Sequence, residues 1–377
     1  MDIIGGFWTS VLAFLLVLTV LVFVHELGHY LVARRNGVRI EVFSIGFGPE
    51  LFGFNDRAGT RWKFSALPLG GYVKMFGDAD PASTPGAHLT AMSPEERAVS
   101  FHHKRVGQRA AVVAAGPIAN FVFSITVLAV LFATAGQSFT PADVGGVQPG
   151  SAAERAGLQP GDLILSIDGA GIQRFEEIRQ IVSIKPGETL RMEIEREGKT
   201  VTLPVTPDSR EVVDRLGNAH RIGQLGITRG SVDMKRHDPV TAVWQAVREV
   251  TGMITGTFTA LGQMIEGSRG TEELGGPLRI AQMSGEVAQS GWYPLVWFMT
   301  FLSVNLGLIN LFPVPMLDGG HLLFYAIEGV RGRPLGARAQ EYGFRIGLAL
   351  VLTLMVFATW NDLDQLRVFD FFRGLVS

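Results

Sequence analysis

The chain has 377 residues, room for two or three domains, and its charged side chains make up only 18% against roughly 25% in an average soluble protein. A net charge of −2 lacks the basic excess of a nucleic-acid binder, so no nucleic acid is expected as a partner. Zero cysteines exclude disulfides, thiolate metal ligands and a cysteine nucleophile.

Four stretches read as transmembrane helices, each needing about 20 mostly apolar residues. Residues 3–33, 110–136 and 293–312 qualify by length, and residues 3–24 carry no ionisable side chain. The fourth, IGLALVLTLMVFATW (346–360), is short and spans only if Arg345 snorkels and Trp360 anchors the far end. A cleaved signal peptide is disfavoured for the first stretch, because Asp2 and no basic residue precede an apolar run longer than a normal signal core. Arg34, Arg35 and Arg39, then His102 to Arg105 and Arg109, then Arg331, Arg333 and Arg338, flank the spans. By the positive-inside rule these loops face the cytoplasm, with both termini and residues 137–291 outside.

The first span ends in VFVHELGHYLVARR (22–35). His25 and His29, four apart on one helix face, can offer imidazole nitrogens to one ion, and Glu26 lies beside it as a base. At 1.5 Å per residue the histidines lie roughly 14 and 8 Å in from Arg34 along the axis. Ionisable groups at mid-bilayer cost about 2.5–3.5 kcal/mol each when charged, and persist where function requires them. A catalytic zinc wants a third protein ligand and an open position. NLGLINLFPVPMLDGGHLLF (305–324) supplies it: prolines 313 and 315 break the helix, and Asp318 is a lone carboxylate in an apolar stretch. His321 is the rival ligand.

Between the first two spans, the loop 36–104 holds two β-branched, aromatic, glycine-punctuated runs, 38–54 and 60–75, around the turn NDRAGT (55–60). They read as a hairpin, and residues 77–100 as a linker. Further on, VGGVQPGSAAERAGLQPGDLILSIDGAGI (144–172) precedes a half-buried hairpin in which Leu190, Met192 and Ile194 alternate against Val201, Leu203 and Val205. RIGQLGI (221–227) is a candidate closing strand. Val243, Val247, Val250, Ile254, Phe258, Leu261 and Ile265 mark an amphipathic helix, either a gate on the outer leaflet or a packed linker.

HELGH (25–29), AGPIANF (115–121), NLFPVPMLDGGH (310–321), FSIGFGPEL (43–51) and PLGGYVKM (68–75) together resemble the site-2 protease family of intramembrane zinc metalloproteases. The closer resemblance is to its bacterial branch that degrades anti-sigma factors. That resemblance implies a Zn2+ ion held by His25, His29 and Asp318, with Glu26 as catalytic base. It implies substrate-binding roles for Asn310, Asn305, Gly46 and Gly48, and a hairpin that partly re-enters the membrane. Residues 144–172 resemble a PDZ domain of the bacterial protease type, but 208–237 are too few for the second PDZ domain of better-known relatives. The PDZ domain then either filters substrates by size or docks a peptide.

The expected fold is a membrane α-helical bundle of four transmembrane helices with a cytoplasmic, re-entrant β-hairpin and an extracytoplasmic PDZ-like α+β domain. Its parts are residues 1–136 with the first two spans and the hairpin loop, 137–230 the PDZ-like domain, 231–290 an amphipathic linker region, and 291–377 the last two spans. The expected partners are the lipid bilayer of the bacterial inner membrane and a single-pass membrane protein, an anti-sigma factor already trimmed outside. Clearance of remnant signal peptides by the same site is the alternative. A non-proteolytic PDZ scaffold with a structural metal is a third reading, and Glu26 argues against it, since a structural metal needs no adjacent base.

Overall fold

The computed structural model describes residues 3–78, 91–213, 219–230, 233–267, 270 and 275–365. From the N-terminus, α1 (Ile3–Arg35) leads into strands β1 (Ile40–Asn55) and β2 (Arg61–Met75), a short α2 (Pro94–Val99) and the long α3 (Val106–Thr134). There follow β3 (Gln137–Phe139), β4 (Val144–Val147), α4 (Ala152–Arg155), β5 (Leu163–Ile167), β6 (Ala170–Gly171) and α5 (Phe175–Ser183). Next come β7 (Leu190–Arg196), β8 (Lys199–Val205), β9 (Asp208–Val213), β10 (Ala219–Gln224), β11 (Ile227–Arg229) and β12 (Asp233–Lys235). Helices α6 (Pro239–Ile265), α7 (Pro277–Gln289), α8 (Trp292–Asn310), α9 (Asp318–Arg331) and α10 (Ala337–Gln365) complete the described chain. It divides into two units: Met1–Leu128 with Ala246–Thr257 and Glu272–Ser377, and Ala129–Gln245 with Phe258–Thr271.

Among the described residues, four helices are long and apolar enough to cross a membrane: Gly6–Arg35, Val106–Thr134, Trp292–Asn310 and Arg338–Leu363. The fourth is longer than the apolar run 346–360 predicts. Its first turns are polar but helix-supporting, with Arg345 bonded to Glu341 one turn earlier at 2.6 Å. Asp362, near its end and buried, accepts from the backbone N–H groups of Gly276, Leu278 and Arg279. That carboxylate satisfies the orphan donors at the start of α7 and fastens α7 to α10. Among the described residues of the linker region 231–290, α6 covers the amphipathic pattern at 243–265 and α7 follows it. Of the expected linker 77–100, residues 79–90 lie outside the described residues, and residues 94–99 form α2 behind a Ser93–Glu96 capping box.

The expected hairpin is more folded than a hairpin. Residues 42–45 of β1 match 71–74 of β2 in antiparallel register, and 52–55 match 61–64 in the same sense. Residues 42–45 also match 61–64, with the numbers rising together as in a parallel pair. Each nominal strand thus doubles back, and four segments lie side by side in the order 52–55, 61–64, 42–45, 71–74. The bends need backbone that few side chains tolerate: Gly46, Gly48 and Gly70 have φ of +91°, +86° and +144°. A Cβ on Gly46 would lie 2.7 Å from the Leu67 carbonyl oxygen. Aromatic rings bridge the segments, Phe43 stacked on Trp62 at 4.1 Å and Phe52 on Phe64 at 4.3 Å. Phe43 also packs edge-on to Tyr30 of α1, in a core completed by Val38, Ile40, Val73, Met75 and Phe101.

A carboxylate at the turn ties this sheet to α1. Asp56 Oδ2 accepts from the Tyr30 hydroxyl at 2.6 Å and from Trp62 Nε1 at 3.3 Å. Its Oδ1 accepts from the N–H groups of Ala58 and Thr60, and Arg34 stands 3.4 Å away.

In the second unit, β6, β5, β7 and β8 form an antiparallel sheet in that order. Leu190, Met192 and Ile194 face Val205, Leu203 and Val201 in register, as the alternation predicts. The connecting turn is Glu197–Gly198, both with positive φ, which matches the twist of the flanking strands. Helix α5 contributes Ile178 and Val182 to the core. The expected closing strand 221–227 splits: β10 pairs with β9, and closure onto β4 is made by β11.

Burial alone would push the Asp56 carboxyl up, but its bonds to Tyr30, Thr60, Trp62 and Ala58 outweigh this and hold its pKa down at about 2. A lowered folded pKa adds stability that is complete above the unfolded value of about 3.9 and is lost as pH falls through the folded one. Asp56→Asn should therefore destabilise the protein at neutral pH by about 1.5–3 kcal/mol, the usual worth of hydrogen bonds to a charged group. In melting experiments the gap to wild type should close between about pH 4 and pH 2. A gap that stays constant over that window would show that the carboxylate charge is irrelevant.

Candidate metal centre

An unbroken helix places His25 and His29 one turn apart, and their rings meet edge to face with centroids 4.8 Å apart. The two Nε2 atoms are 3.2 Å from each other. The His29 ring is fixed from behind, because its Nδ1 lies 2.9 Å from the Val112 carbonyl of α3. A carbonyl can only accept, so the proton sits on Nδ1 and Nε2 is left with an open lone pair.

The third group arrives through a break in the chain. Helix α8 ends at Asn310, residues 311–317 fold back through Pro313 and Pro315, and α9 starts at Asp318. Met316 in this loop has φ of +88°, a strained value for a side chain of its size. The glycines after Asp318 let the loop tuck against its own helix: a Cβ on Gly319 would meet the Phe312 carbonyl oxygen at 2.2 Å, and one on Gly320 the Val314 oxygen at 2.4 Å. Lying in the first turn of α9, the Asp318 carboxylate sits at the end of the helix dipole that favours negative charge.

Asp318 Oδ2 lies 3.1 Å from His25 Nε2 and 3.6 Å from His29 Nε2. For donors about 2.0–2.1 Å from one tetrahedral ion, neighbouring ligand atoms are about 3.3 Å apart. The observed separations fit that figure. Oδ2 is also buried without a hydrogen-bond partner despite its nearness to both rings. Three ligand-capable atoms that converge this closely, one of them buried without a partner, are what a shared cation satisfies. Among the described residues these three form the one such cluster of potential ligands.

They open on a cavity of roughly 210 Å³ that Glu26 also lines. Asn310 reaches this cavity, as does His321, which is not part of the converging group. Asn305 does not line it: its oxygen accepts from Thr257 Oγ1 at 3.1 Å and its amide donates to the Phe301 carbonyl at 2.9 Å. Gly46 and Gly48 stand at the bend of β1, away from the lining. The strand that does line the cavity is β2, through Gly71, Tyr72, Val73 and Met75. Gly71 packs close, since a Cβ there would lie 3.5 Å from Glu26 Cγ, and Val73 lines the cavity beside Glu26. The Gly70–Gly71 pair was the signal in the sequence for such a close approach. Nothing in the pattern singled out Met316 or Tyr325, which also line the cavity.

Gly116 of α3 makes room for both imidazoles. A Cβ there would fall 2.3 Å from His29 Nε2 and 2.9 Å from His25 Cε1. Gly116→Ala should weaken divalent metal binding by at least about tenfold, on the scale of lost support around a ligand. Gly107→Ala, with open space around it, should leave binding unchanged in the same chelator competition. Equal affinities for the two variants would show that the rings can move aside freely.

The family model described as Peptidase family M50 matches residues 13–354. A Rhizobium meliloti protein provisionally named a zinc metalloprotease is 51% identical, over 94% of this chain and 96% of its own. Metalloprotease MmpA of Caulobacter vibrioides is 40% identical over 99% and 100%, and Protease RseP of Yersinia pestis 33% over 95% and 99%. A solved PDZ domain of an SdrC-like protein from Listeria monocytogenes aligns with 25% of this chain and 90% of its own, at 22% identity and a TM-score of 0.19. A match that takes in most of α1, the chain break and the three converging ligands leaves one conclusion: this chain belongs to peptidase family M50.

Proposed function

We propose that the protein is an intramembrane zinc endopeptidase that hydrolyses a peptide bond within or near the span of a single-pass membrane protein. The observation that carries this reading is the convergence of His25, His29 and Asp318 beside Glu26 on helices long and apolar enough to cross a membrane. Zinc supplies the positive charge that acidifies water and polarises a scissile carbonyl. His25, His29 and Asp318 hold it, and Glu26 takes the proton of the attacking water and passes it to the leaving amine. Asn310 lines the same cavity and offers an amide donor to the carbonyl under attack.

A substrate helix hides its peptide bonds in its own hydrogen bonds, so it must be unwound to be cut. The segment 71–74 has β1 on one side, and among the described residues no further strand adds to the sheet. That outer edge lines the cavity and suits addition of an extended peptide. Phe47, Leu51, Phe52, Phe54, Leu67 and Leu69 of the same sheet are exposed, an apolar surface that lipid would cover. This supports a sheet that re-enters the membrane. The basic loops support a centre toward the cytoplasmic side of a bacterial inner membrane, with the β-rich module as an outer PDZ-like domain. The family resemblance favours an anti-sigma factor, already trimmed outside, as the substrate.

Glu26→Gln should lower cleavage by at least about 10²–10⁴-fold, as for loss of a general base, with zinc still bound. Asp318→Asn should lose the metal too. Comparing membrane proteomes of wild-type and Glu26→Gln cells would display the uncut substrate, and turnover by the glutamine variant would refute the assignment.

The strand edge has its own test. Val73→Pro removes a backbone N–H from the cavity-lining segment 71–74 and should cut turnover roughly tenfold, the worth of one hydrogen bond, without loss of zinc. Val73→Ala should stay near wild type. Comparable turnover by the proline variant would rule out strand addition at this edge.

A further inference from the structure

His25 and His29 are ligands of the same kind held in two different ways. Behind His29 stands a backbone carbonyl, the Val112 oxygen, which permits one tautomer only. Behind His25 stands a side-chain amide. Asn120 is completely buried on α3, with Nδ2 3.2 Å from His25 Nδ1 and Oδ1 buried without a partner. A carboxamide can present either its donor or its acceptor by a half-turn that changes neither volume nor charge.

From this asymmetry we infer that Asn120 is the positioning residue of His25, turning its carboxamide to match the tautomer of that ring. The inference rests on the metal reading of the three-ligand cluster. With a proton on His25 Nε2, the ring faces Asp318 Oδ2 at 3.1 Å and its bare Nδ1 accepts from Asn120 Nδ2, the orientation seen here. With Nε2 bare, as a ligand must be, the proton sits on Nδ1 and a buried N–H needs an acceptor. The half-turn puts the otherwise unpartnered Oδ1 there. Asparagine serves both tautomers without burying a charge, which neither Asp nor a carbonyl does.

The backbone of Asn120 is pinned while its side chain does this. The hydroxyls of Ser124 and Ser303 both donate to its carbonyl oxygen, at 2.9 and 3.1 Å, so α3 and α8 hold it from two sides. Asn120 is four residues after Gly116, on the same face of α3. One turn of that helix thus provides the space for the imidazoles and the hydrogen bond for one of them.

The test is zinc affinity of the purified full chain in detergent, by competition with a chromophoric chelator. Melting temperatures with the metal stripped serve to monitor the fold. Asn120→Leu, similar in size but apolar, should weaken zinc binding about ten- to a hundredfold, while Asn120→Asp, which keeps an acceptor, should stay within about threefold of wild type. Ser303→Ala, which loosens the same helix contact without touching His25, should bind as wild type. Wild-type affinity in Asn120→Leu would overturn the inference. So would an equal loss in Asn120→Asp, or a loss in Ser303→Ala as deep as in the leucine variant. If folded wild-type protein takes up no zinc, the metal reading itself falls and this inference with it.

Discussion

Two imidazole nitrogens and one carboxylate oxygen point at a common centre in a part of the chain built almost wholly from apolar helices. Ligand-capable atoms brought to 3.1–3.6 Å of one another repel wherever no proton lies between them, and each polar group buried there costs free energy unless something satisfies it. The surrounding structure meets that constraint. Val112 orients one imidazole, Asn120 faces the other, and Gly116 clears the volume that both need. The carboxylate comes from elsewhere: only the break between α8 and α9 lets Asp318 approach α1, and Gly319 and Gly320 let that break close on itself.

The same economy of space extends outward. Gly347 on α10 lies against the loop, where a Cβ would fall 2.0 Å from the Pro315 oxygen. Helix α7 approaches α1 at Gly285, where a Cβ would fall on Ser10. Small residues at such crossings let backbones come close, and close packing replaces the hydrophobic drive that is weak between helices in lipid. Between membrane-spanning helices, irregular backbone survives where protein or a wet cavity surrounds it. The loop 311–317, with Met316 and Leu317 on the cavity wall, meets that condition.

The folded-back sheet is the other half of the arrangement. A plain hairpin of β1 and β2 would present two long edges. Doubling each strand at Gly46, Gly48 and Gly70 instead stacks Phe43, Trp62 and Phe54 across neighbouring segments and leaves 71–74 at the margin beside Glu26. Asp56 then fixes the sheet to Tyr30, five residues after His25 on the same helix. Strand edge and metal ligands are therefore held to one another through α1.

Much of this was legible in the sequence because it depends on local period. The i, i+4 spacing of His25 and His29 and the length of the apolar runs each follow from helix geometry. The alternation of Leu190, Met192 and Ile194 follows in the same way from strand geometry. Asp318 was legible as a carboxylate with no apolar reason to be where it is. Relations between distant segments were not legible. Neither the doubling of the sheet, with residues 42–45 flanked on both sides, nor the choice of β2 as the cavity-lining strand has a signature in spacing alone. The engagement of Asn305 with Thr257, 48 residues away, could not be read from the motif that contains it. Asn120 and Gly116 lay in plain view within AGPIANF, but their meaning depends on α3 crossing α1 at one height. Period determines what one element presents; packing decides which of those groups meet.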